Sequence, residues 1–456
     1  MDFEVILNEI RPDESDKKEV GDLIDKIINQ LNSIIKDKDL DSEAVLVGSV
    51  EKDTWLKGKA DIDIFLTFSL NILEDDLKRY GLEIAHECIN LLGGEYEERY
   101  ASHPYVTGFI EGYSVDIVPC YKMNLGNHIV SAVDRTVLHT KYINNNISPG
   151  QTDEILLLKK FMESIETYGS EFKVGGFAGY LCELLILKYG TFLGVLKAAN
   201  KWKKHTVIDL EDYGTCEQFD DPLIVIDPVD KNRNVAASLS LQKMAEFMGA
   251  SRNFLREPKI EYFQKADKFI TLRDIFILFN VRSTETYILK FKPPKIPEDT
   301  LYPQLRKTEK SLSTKLTTEG FSVFKTSSWT DAKDLAIIMI EVASGQIAGY
   351  KNYLGPRIWD NDFQENFIEK HNTMPWIEGD RWVVRVSTVG NIEGLIKNLF
   401  TPENIHQLKV GKNIKKELLE NYSFMDINKF LLDVELSEDL SEFFSDFLIP
   451  GQNLFR

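Results

Sequence analysis

Cysteine is scarce in this sequence of 456 residues: there are four, and none forms a Cys-x-x-Cys pair. This spacing argues against a zinc ribbon and against a disulfide framework. No segment approaches the ~18 consecutive apolar residues that a membrane span requires, and the acidic N-terminus lacks the basic-then-apolar pattern of a signal peptide. The sequence therefore predicts a soluble, cytoplasmic protein with no membrane association.

Two glycine-rich nucleotide motifs are also absent, which lowers support for a P-loop or a Rossmann dinucleotide-binding protein. Basic residues are outnumbered by acidic ones, and the formal net charge is −18. This charge counts against nucleic-acid binding, which favours basic surfaces. Local basic clusters do occur, although solvated helix faces explain any one of them equally well. They are Lys197, Lys201, Lys203 and Lys204; Arg306, Lys307 and Lys310; and Lys409, Lys412, Lys415 and Lys416.

The hydrophobic pattern predicts an α+β protein of several domains. Residues 16–36 carry apolar side chains at three- and four-residue steps, typical of an amphipathic helix. Strands are predicted at 44–47, at 61–68 and as two runs within 105–121 that turn at Gly112, with a helix at 75–92. These elements predict a mixed α/β domain over residues 1–145.

A polar cluster at 144–150 marks the first domain boundary. Residues 146–265 are predicted to be mostly helical. Residues 266–456 alternate between helical patterns (304–318, 362–370) and strand patterns (332–348, 382–387), which indicates an α/β unit with a small antiparallel sheet. Its tail part is expected at roughly 320–400.

The strongest chemical signal is a set of acids inside apolar strands. Asp61 and Asp63 belong to one predicted strand, where alternation places both on one face. Asp116 lies in a second such run. Carboxylates among strong hydrophobes are unfavourable unless a cation lies between them, and Mg²⁺ prefers a few carboxylates with phosphate oxygens and water. Convergence of the three acids would provide a two-metal site.

Gly48 and Ser49 end the preceding strand and complete this motif. A glycine at a strand-to-helix turn lets the backbone approach a phosphate, and the exposed N–H groups bind anions. Ser49 adds a hydroxyl and Lys52 adds charge. A Gly-Ser pair, an Asp-x-Asp twelve residues later and a further strand aspartate resemble the nucleotidyltransferase superfamily that includes polymerase beta.

From these residues outward, the chain resembles the archaeal-type (class I) CCA-adding enzymes, which are tRNA nucleotidyltransferases. The matching segments follow the family order over most of the chain: GSVEKDTWLKGKADIDIFLTF (48–68), ASHPYVTGFIEGYSVDIVPCY (101–121), SAVDRTVLHTKYI (131–143), LLLKKFMESIETYGSEFKVGGFAGYLCELLILKYG (156–190), DPVDKNRNVAASLS (227–240) and LYPQLRK (301–307).

The resemblance implies a function for individual positions. Asp61, Asp63 and Asp116 match the catalytic metal ligands, with Mg²⁺ as the cofactor. The nucleotide would be held by Ser49, Lys52, Thr136, His139, Lys159, Tyr168 and Arg233, the last near the base. Lys52 departs from the arginine that the family often has, so a bidentate contact is lost. Tyr105, Tyr302, Arg306 and Lys307 would contact RNA.

Taken without the family, these positions have plainer explanations. Thr136 could cap a helix, and His139 could be an ordinary surface or core histidine. Lys159 could be solvated and Tyr168 could be a packing residue. Arg233 could pair with Asp227 or Asp230 in a structural turn.

The resemblance implies a catalytic head (1–145), a helical neck (146–265) and a body and tail (266–456) that hold the tRNA acceptor arm. The enzyme would add C, C and A to tRNA from CTP and ATP without a template and release pyrophosphate. A homodimer is expected from the family alone. Two alternatives stay open: a poly(A) or oligoadenylate synthase, and an RNA-binding protein with an inactive head.

Overall fold

The computed structural model describes residues 1–100, 104–123, 133–371 and 374–456. The first three residues of the segment at 101–121 and the first two of that at 131–143 lie outside these ranges. The chain forms two compact units, residues 1–266 with 452–456, and residues 267–451. The last five residues, which we assigned to the body and tail, thus belong to the first unit. The boundary between head and neck stays a prediction.

The first unit contains nine helices and eight strands among the described residues. The helices are α1 Glu4–Ile10, α2 Glu14–Asp37, α3 Gly48–Glu51, α4 Glu74–Leu91, α5 Asp134–Asn146, α6 Gln151–Ser164, α7 Gly179–Tyr189, α8 Phe192–Ala199 and α9 Leu241–Arg256. The strands are β1 Ser42–Val47, β2 Ile62–Phe68, β3 Glu95–Tyr100, β4 Pro104–Ile110, β5 Tyr113–Tyr121, β6 Thr206–Ile208, β7 Leu223–Asp227 and β8 Asp230–Asn234.

The strands β1 to β5 form one mixed sheet in the order β1-β2-β5-β4-β3, in which only β2 and β5 are parallel. Alternate residues of β2 and β5, such as Ile64 and Ile117, join the apolar side chains of α2 and α4 in one core. The opposite face carries Asp63 and Asp116 and, beyond them, a smaller apolar cluster that includes Phe65 and Val118. The sheet therefore has one packed face and one face that bears the acids.

The middle of the chain packs around a second core, formed by α1 and the helices α6 to α9. The predicted helical character of residues 146–265 appears as α6 to α9, whereas α1 is not predicted. The small sheet β6-β7-β8 is also missed, because its strands are only three to five residues long. This sheet matters for the site, since β7 ends at the buried Asp227.

The second unit contains the helices α10 Leu272–Asn280, α11 Glu298–Glu319, α12 Asn361–Lys370, α13 Ile392–Leu399, α14 Lys415–Glu420, α15 Ile427–Asp433 and α16 Glu438–Leu448. Its strands are β9 Glu285–Phe291, β10 Val323–Thr330, β11 Ala336–Val342, β12 Tyr350–Arg357, β13 Trp376–Glu378, β14 Arg381–Ser387 and β15 Ser423–Asp426. They form two antiparallel sheets, β10-β11-β9-β15 and β12-β14-β13.

No single helix within the described ranges is long and apolar enough to cross a membrane. Only α7 and α8 taken together, which are bent by 91° at their junction, reach that length and composition.

Candidate active site

The turn after β1 brings the backbone against an acid. Gly48 adopts a φ of +79°, and a Cβ at this position would collide with the Asp63 carboxylate, whose Cγ would lie 3.1 Å away. A left-handed backbone and this close approach both require glycine. The Gly48 N–H donates to Thr140 Oγ1 on α5 at 3.3 Å. Ser49 follows in the short helix α3, so the Gly-Ser turn lies beside the Asp63 carboxylate, as the motif predicts.

Asp63 and Asp116 are neighbours on the parallel strands β2 and β5, paired in register. Thr107 on β4 donates a hydrogen bond to Asp116 Oδ1 at 2.6 Å. Burial, together with the negative charges of Asp116 and Asp61, raises the pKa of Asp63 to about 7, against the opposing charge of Lys52. Burial also raises the pKa of Asp116. Among the described residues, neither carboxylate forms an ion pair with a basic side chain.

Asp61 lies one residue before β2 and is exposed, so our placement of this acid within the strand is wrong. Its charge still reaches both other acids. In the part of the chain that the structure describes, however, no three His, Cys, Asp or Glu side chains are arranged to hold a metal ion. The structure thus establishes an acid pair, with Asp61 beside it rather than in a closed ligand triad.

This acid pair fits a divalent cation. Two adjacent, half-buried carboxylates that form no ion pair among the described residues repel each other when both are ionised, and a bound cation would remove that repulsion. The same sheet face continues into β4 with Thr107 and Tyr105. Burial raises the pKa of Tyr105, and the charge of Asp116 adds to this, which places the ring beside the acids.

Lys52 and Lys159 lie in the interior and meet on one carboxylate that we did not predict. Glu183 on α7 binds Lys52 Nζ at 2.5 Å and Lys159 Nζ at 3.4 Å. All three side chains are buried, at 7% or less exposure. Burial alone would raise the pKa of Glu183, but the charges of Lys52 and Lys159 lower it. Neither lysine is a solvated surface residue.

Tyr168 belongs to the same neighbourhood through the start of α7. A Cβ at Gly179 would lie 3.1 Å from the Tyr168 hydroxyl and 3.6 Å from Lys159 Nζ. Burial raises the pKa of Tyr168. Gly179 therefore leaves room for two of the predicted nucleotide contacts to approach each other.

His139 and Arg233 meet on a second buried carboxylate, that of Asp227. His139 Nε2 and Arg233 Nη1 both lie 2.8 Å from Asp227 Oδ2. The His139 ring stacks on Tyr180 with centroids 3.9 Å apart. The alternative that Arg233 pairs with Asp227 is confirmed as a contact, and Asp230 pairs with Arg135 instead.

The protonation states in this cluster follow from burial and pairing. Burial lowers the pKa of His139, although Asp227 opposes the shift. Burial alone would raise the pKa of Asp227, but the hydrogen bond from His139 and the charge of Arg233 lower it. An ionised carboxylate can only accept, so His139 Nε2 donates this hydrogen bond. Thr136, one turn before Thr140 on α5, is half-buried and does not cap the helix.

In the second unit, three residues predicted to contact RNA lie on α11, but they differ in burial. The Tyr302 ring is buried at 6% exposure, and its hydroxyl donates to the Thr330 carbonyl at 3.3 Å. Our assignment of Tyr302 to an RNA surface is therefore wrong, because the ring is part of the core. Arg306 and Lys307 are exposed.

Lys307 lines a groove of about 500 Å³, together with Lys310, Ser311, Thr314, Lys315, Thr318, Gln407 and Lys409. Lys315 is paired with Glu319 at 2.7 Å. Within the described residues, Lys307, Lys310 and Lys409 have no acidic partner. The backbone N–H of Lys409 donates to Ser311 Oγ at 2.8 Å, which ties this segment to α11. The groove is thus a local basic surface on an acidic protein.

A Gly-Ser turn beside paired strand carboxylates, on a mixed sheet, defines a nucleotidyltransferase. Residues 28–139 match the nucleotidyltransferase domain family, residues 153–264 the second domain of tRNA nucleotidyltransferase, and residues 282–426 the C-terminal domain of CCA-adding enzyme. Members of this nucleotidyltransferase family use divalent metal ions.

Full-length relatives narrow the class. The CCA-adding enzyme of Methanothermobacter thermautotrophicus is 44% identical over 460 residues, covering 100% of this chain and 99% of the relative. That of Methanocaldococcus jannaschii is 38% identical and covers 80% of this chain and 83% of the relative. That of Pyrococcus abyssi is 36% identical and covers 92% of this chain and 93% of the relative. The chain belongs to the CCA-adding enzyme family.

Proposed function

We propose that this enzyme rebuilds the 3′-terminal CCA of tRNA, using CTP and ATP with Mg²⁺. The 3′-hydroxyl of the RNA attacks the α-phosphate of the nucleotide, so a P–O bond to RNA forms and pyrophosphate leaves. The observation that carries the proposal is the contact between the Gly48 turn and the Asp63 carboxylate, which lies opposite Asp116. This contact places the turn that would bind the phosphates directly beside the acid pair that would hold the cation.

Asp63 and Asp116, with Asp61 beside them, are the residues that would hold Mg²⁺. When bound, the cation would supply charge to the reacting phosphate and favour the ionised form of the attacking hydroxyl. Ser49 would donate its hydroxyl to the triphosphate, and backbone N–H groups at the start of α3 would add further donors. Lys52 would add positive charge behind this turn.

The nucleotide would lie between the acids and the Asp227 cluster. Thr136 and His139 on α5 would contact it from one side, with Lys159 and Tyr168 behind. Arg233, which is one-third exposed, would reach the base. Because Asp227 fixes the Arg233 guanidinium, its remaining N–H donors point in a constant direction, as discrimination between bases requires.

The acceptor arm of tRNA would be held by phosphate contacts. Arg306 and Lys307 start the basic surface on α11, and the unpaired lysines of the groove continue it. Tyr105, beside the acids, would stack on the RNA end. A homodimer stays a prediction, which sedimentation velocity would test.

The assay uses a tRNA that lacks its CCA end, offered CTP or ATP. The wild-type enzyme should incorporate CTP, and ATP only after two cytidines. Asp63→Ala should lower the rate at least ~100-fold, since several kcal/mol of transition-state stabilisation disappear. Asp41→Asn, an exposed acid before β1, is the control and should keep the rate. Incorporation of ATP alone would indicate an adenylate-only enzyme and contradict the proposal, as would normal activity of Asp63→Ala.

A further inference from the structure

The buried carboxylate of Glu183 carries an unequal set of charges. It faces two ammonium groups, those of Lys52 and Lys159, and also accepts a hydrogen bond from Thr54 Oγ1 at 2.7 Å. Within the described residues, Glu183 is the only acid that either lysine pairs with. Two lysines therefore share one carboxylate, although buried charges are normally paired one to one, and burial lowers the pKa of Lys159.

The two lysines differ in their free donors. An ammonium group has three N–H donors. Lys159 Nζ lies 2.8 Å from the Thr54 carbonyl, 3.3 Å from Thr54 Oγ1 and 3.4 Å from Glu183 Oε1, so protein acceptors occupy all three of its donors. Among the residues that the structure describes, Lys52 has one acceptor, Glu183 Oε2. Of the two lysines, Lys52 is therefore the one that retains donors for a ligand.

The Lys52 ammonium lies between the acid pair and the His139 cluster. Lys52 Nζ is 5.9 Å from the centre of the Tyr180 ring, which stacks on His139. Its charge acts on Asp63 as well as on His139. A ligand with several negative charges that bridges the acids and His139 would pass over this point.

We propose that Glu183 is a positioning residue that holds the Lys52 ammonium, backed by Lys159, where the triphosphate of the incoming nucleotide binds. Lys52 then contacts the phosphates directly, and Lys159 acts through charge and through Glu183. This inference rests on the proposed function, and it assigns a task to an acid that neither touches the substrate nor binds the metal.

The test compares Glu183→Gln with the full-length wild-type enzyme, loaded with Mg²⁺, on a tRNA lacking CCA. The amide keeps the shape but loses the charge that fixes Lys52. KM for CTP should rise about 10-fold while kcat per folded molecule changes less than about 3-fold. Glu163→Gln is the matched control, because Glu163 also bridges two lysines, Lys59 and Lys160, but is partly exposed, at 25%. It should leave KM unchanged.

A double-mutant cycle with Lys52→Ala separates positioning from mere stabilisation. If Glu183 acts through Lys52, the double variant has the KM of Lys52→Ala alone. A lowered kcat with unchanged KM, or effects that simply add, would overturn the inference. Lack of CTP incorporation by the wild type would instead refute the proposed function, so the two failures are distinguishable.

Discussion

Asp227 offers a sharp test of the cluster around His139 and Arg233. Its carboxylate is fully buried and lies 2.8 Å from both partners, and Val229 N–H adds a bond at 3.1 Å. Breaking a fully buried ion pair costs about 3–5 kcal/mol. The Arg233 side chain is 33% exposed and can be rehydrated, and asparagine keeps one acceptor oxygen. We therefore expect Asp227→Asn to lower the free energy of unfolding by about 2–3 kcal/mol at pH 7.

The pKa of Asp227 predicts how the stability difference between wild type and variant changes with pH. The folded-state pKa of Asp227 is lowered, so its stabilisation is complete above the unfolded pKa, near 3.8, and is lost as pH falls through the folded value. Urea unfolding at pH 7 should show the full difference between wild type and variant, and the difference should shrink in acid below pH 4.

The control is Asp220→Asn, which removes an aspartate paired with a histidine at the surface. Asp220 is 98% exposed and lies 3.6 Å from His205. Such a pair contributes about 0–1 kcal/mol. An equal loss in both variants, or a difference for Asp227 that persists unchanged in acid, would refute our account of the buried carboxylate.

Two further predictions concern the phosphate contacts. Gly48→Ala places a Cβ against the Asp63 carboxylate in a left-handed backbone, so it should cost at least ~1 kcal/mol of stability and lower CTP incorporation at least ~10-fold; normal kinetics would show that the close approach is unnecessary. Lys310→Ala should reduce the slope of log K for tRNA binding against log salt concentration by about 1, measured by filter binding at several salt concentrations. The control is Lys292→Ala, which should leave the slope unchanged because the Lys292 ammonium is paired with Asp334 at 2.7 Å. Equal effects of the two variants would contradict an RNA surface in the groove.

The sequence predicts the fold well where the pattern is long and regular. The helices at 16–36 and 75–92 appear as Glu14–Asp37 and Glu74–Leu91, and the strand pair around Gly112 appears as β4 and β5. The short strands β6 to β8 carry too few residues for alternation to be recognised. Asp61 was misplaced because an Asp-x-Asp pattern does not show at which residue pairing with β5 begins.

The site was predictable in its acids but not in its internal partners. Asp63 opposite Asp116 follows from a motif. Glu183 is missed because a single acid in an apolar helix has no spacing that names its partners, which lie 131 and 24 residues away. Its one signal is the placement of a carboxylate within LCELLILKY. Tyr302 was misassigned because a sequence cannot show which side of α11 is covered.

The contacts of Glu183 and Asp227 have a consequence for assembly. Lys52 and His139 precede residue 146, whereas both carboxylates that orient them come later in the chain. When only the first 146 residues have left the ribosome, the acids and the Gly-Ser turn are present, but Glu183 and Asp227 are not yet available. Until α7 and β7 have been synthesised and have folded against it, Lys52 and His139 lack the carboxylates that they contact in the complete fold.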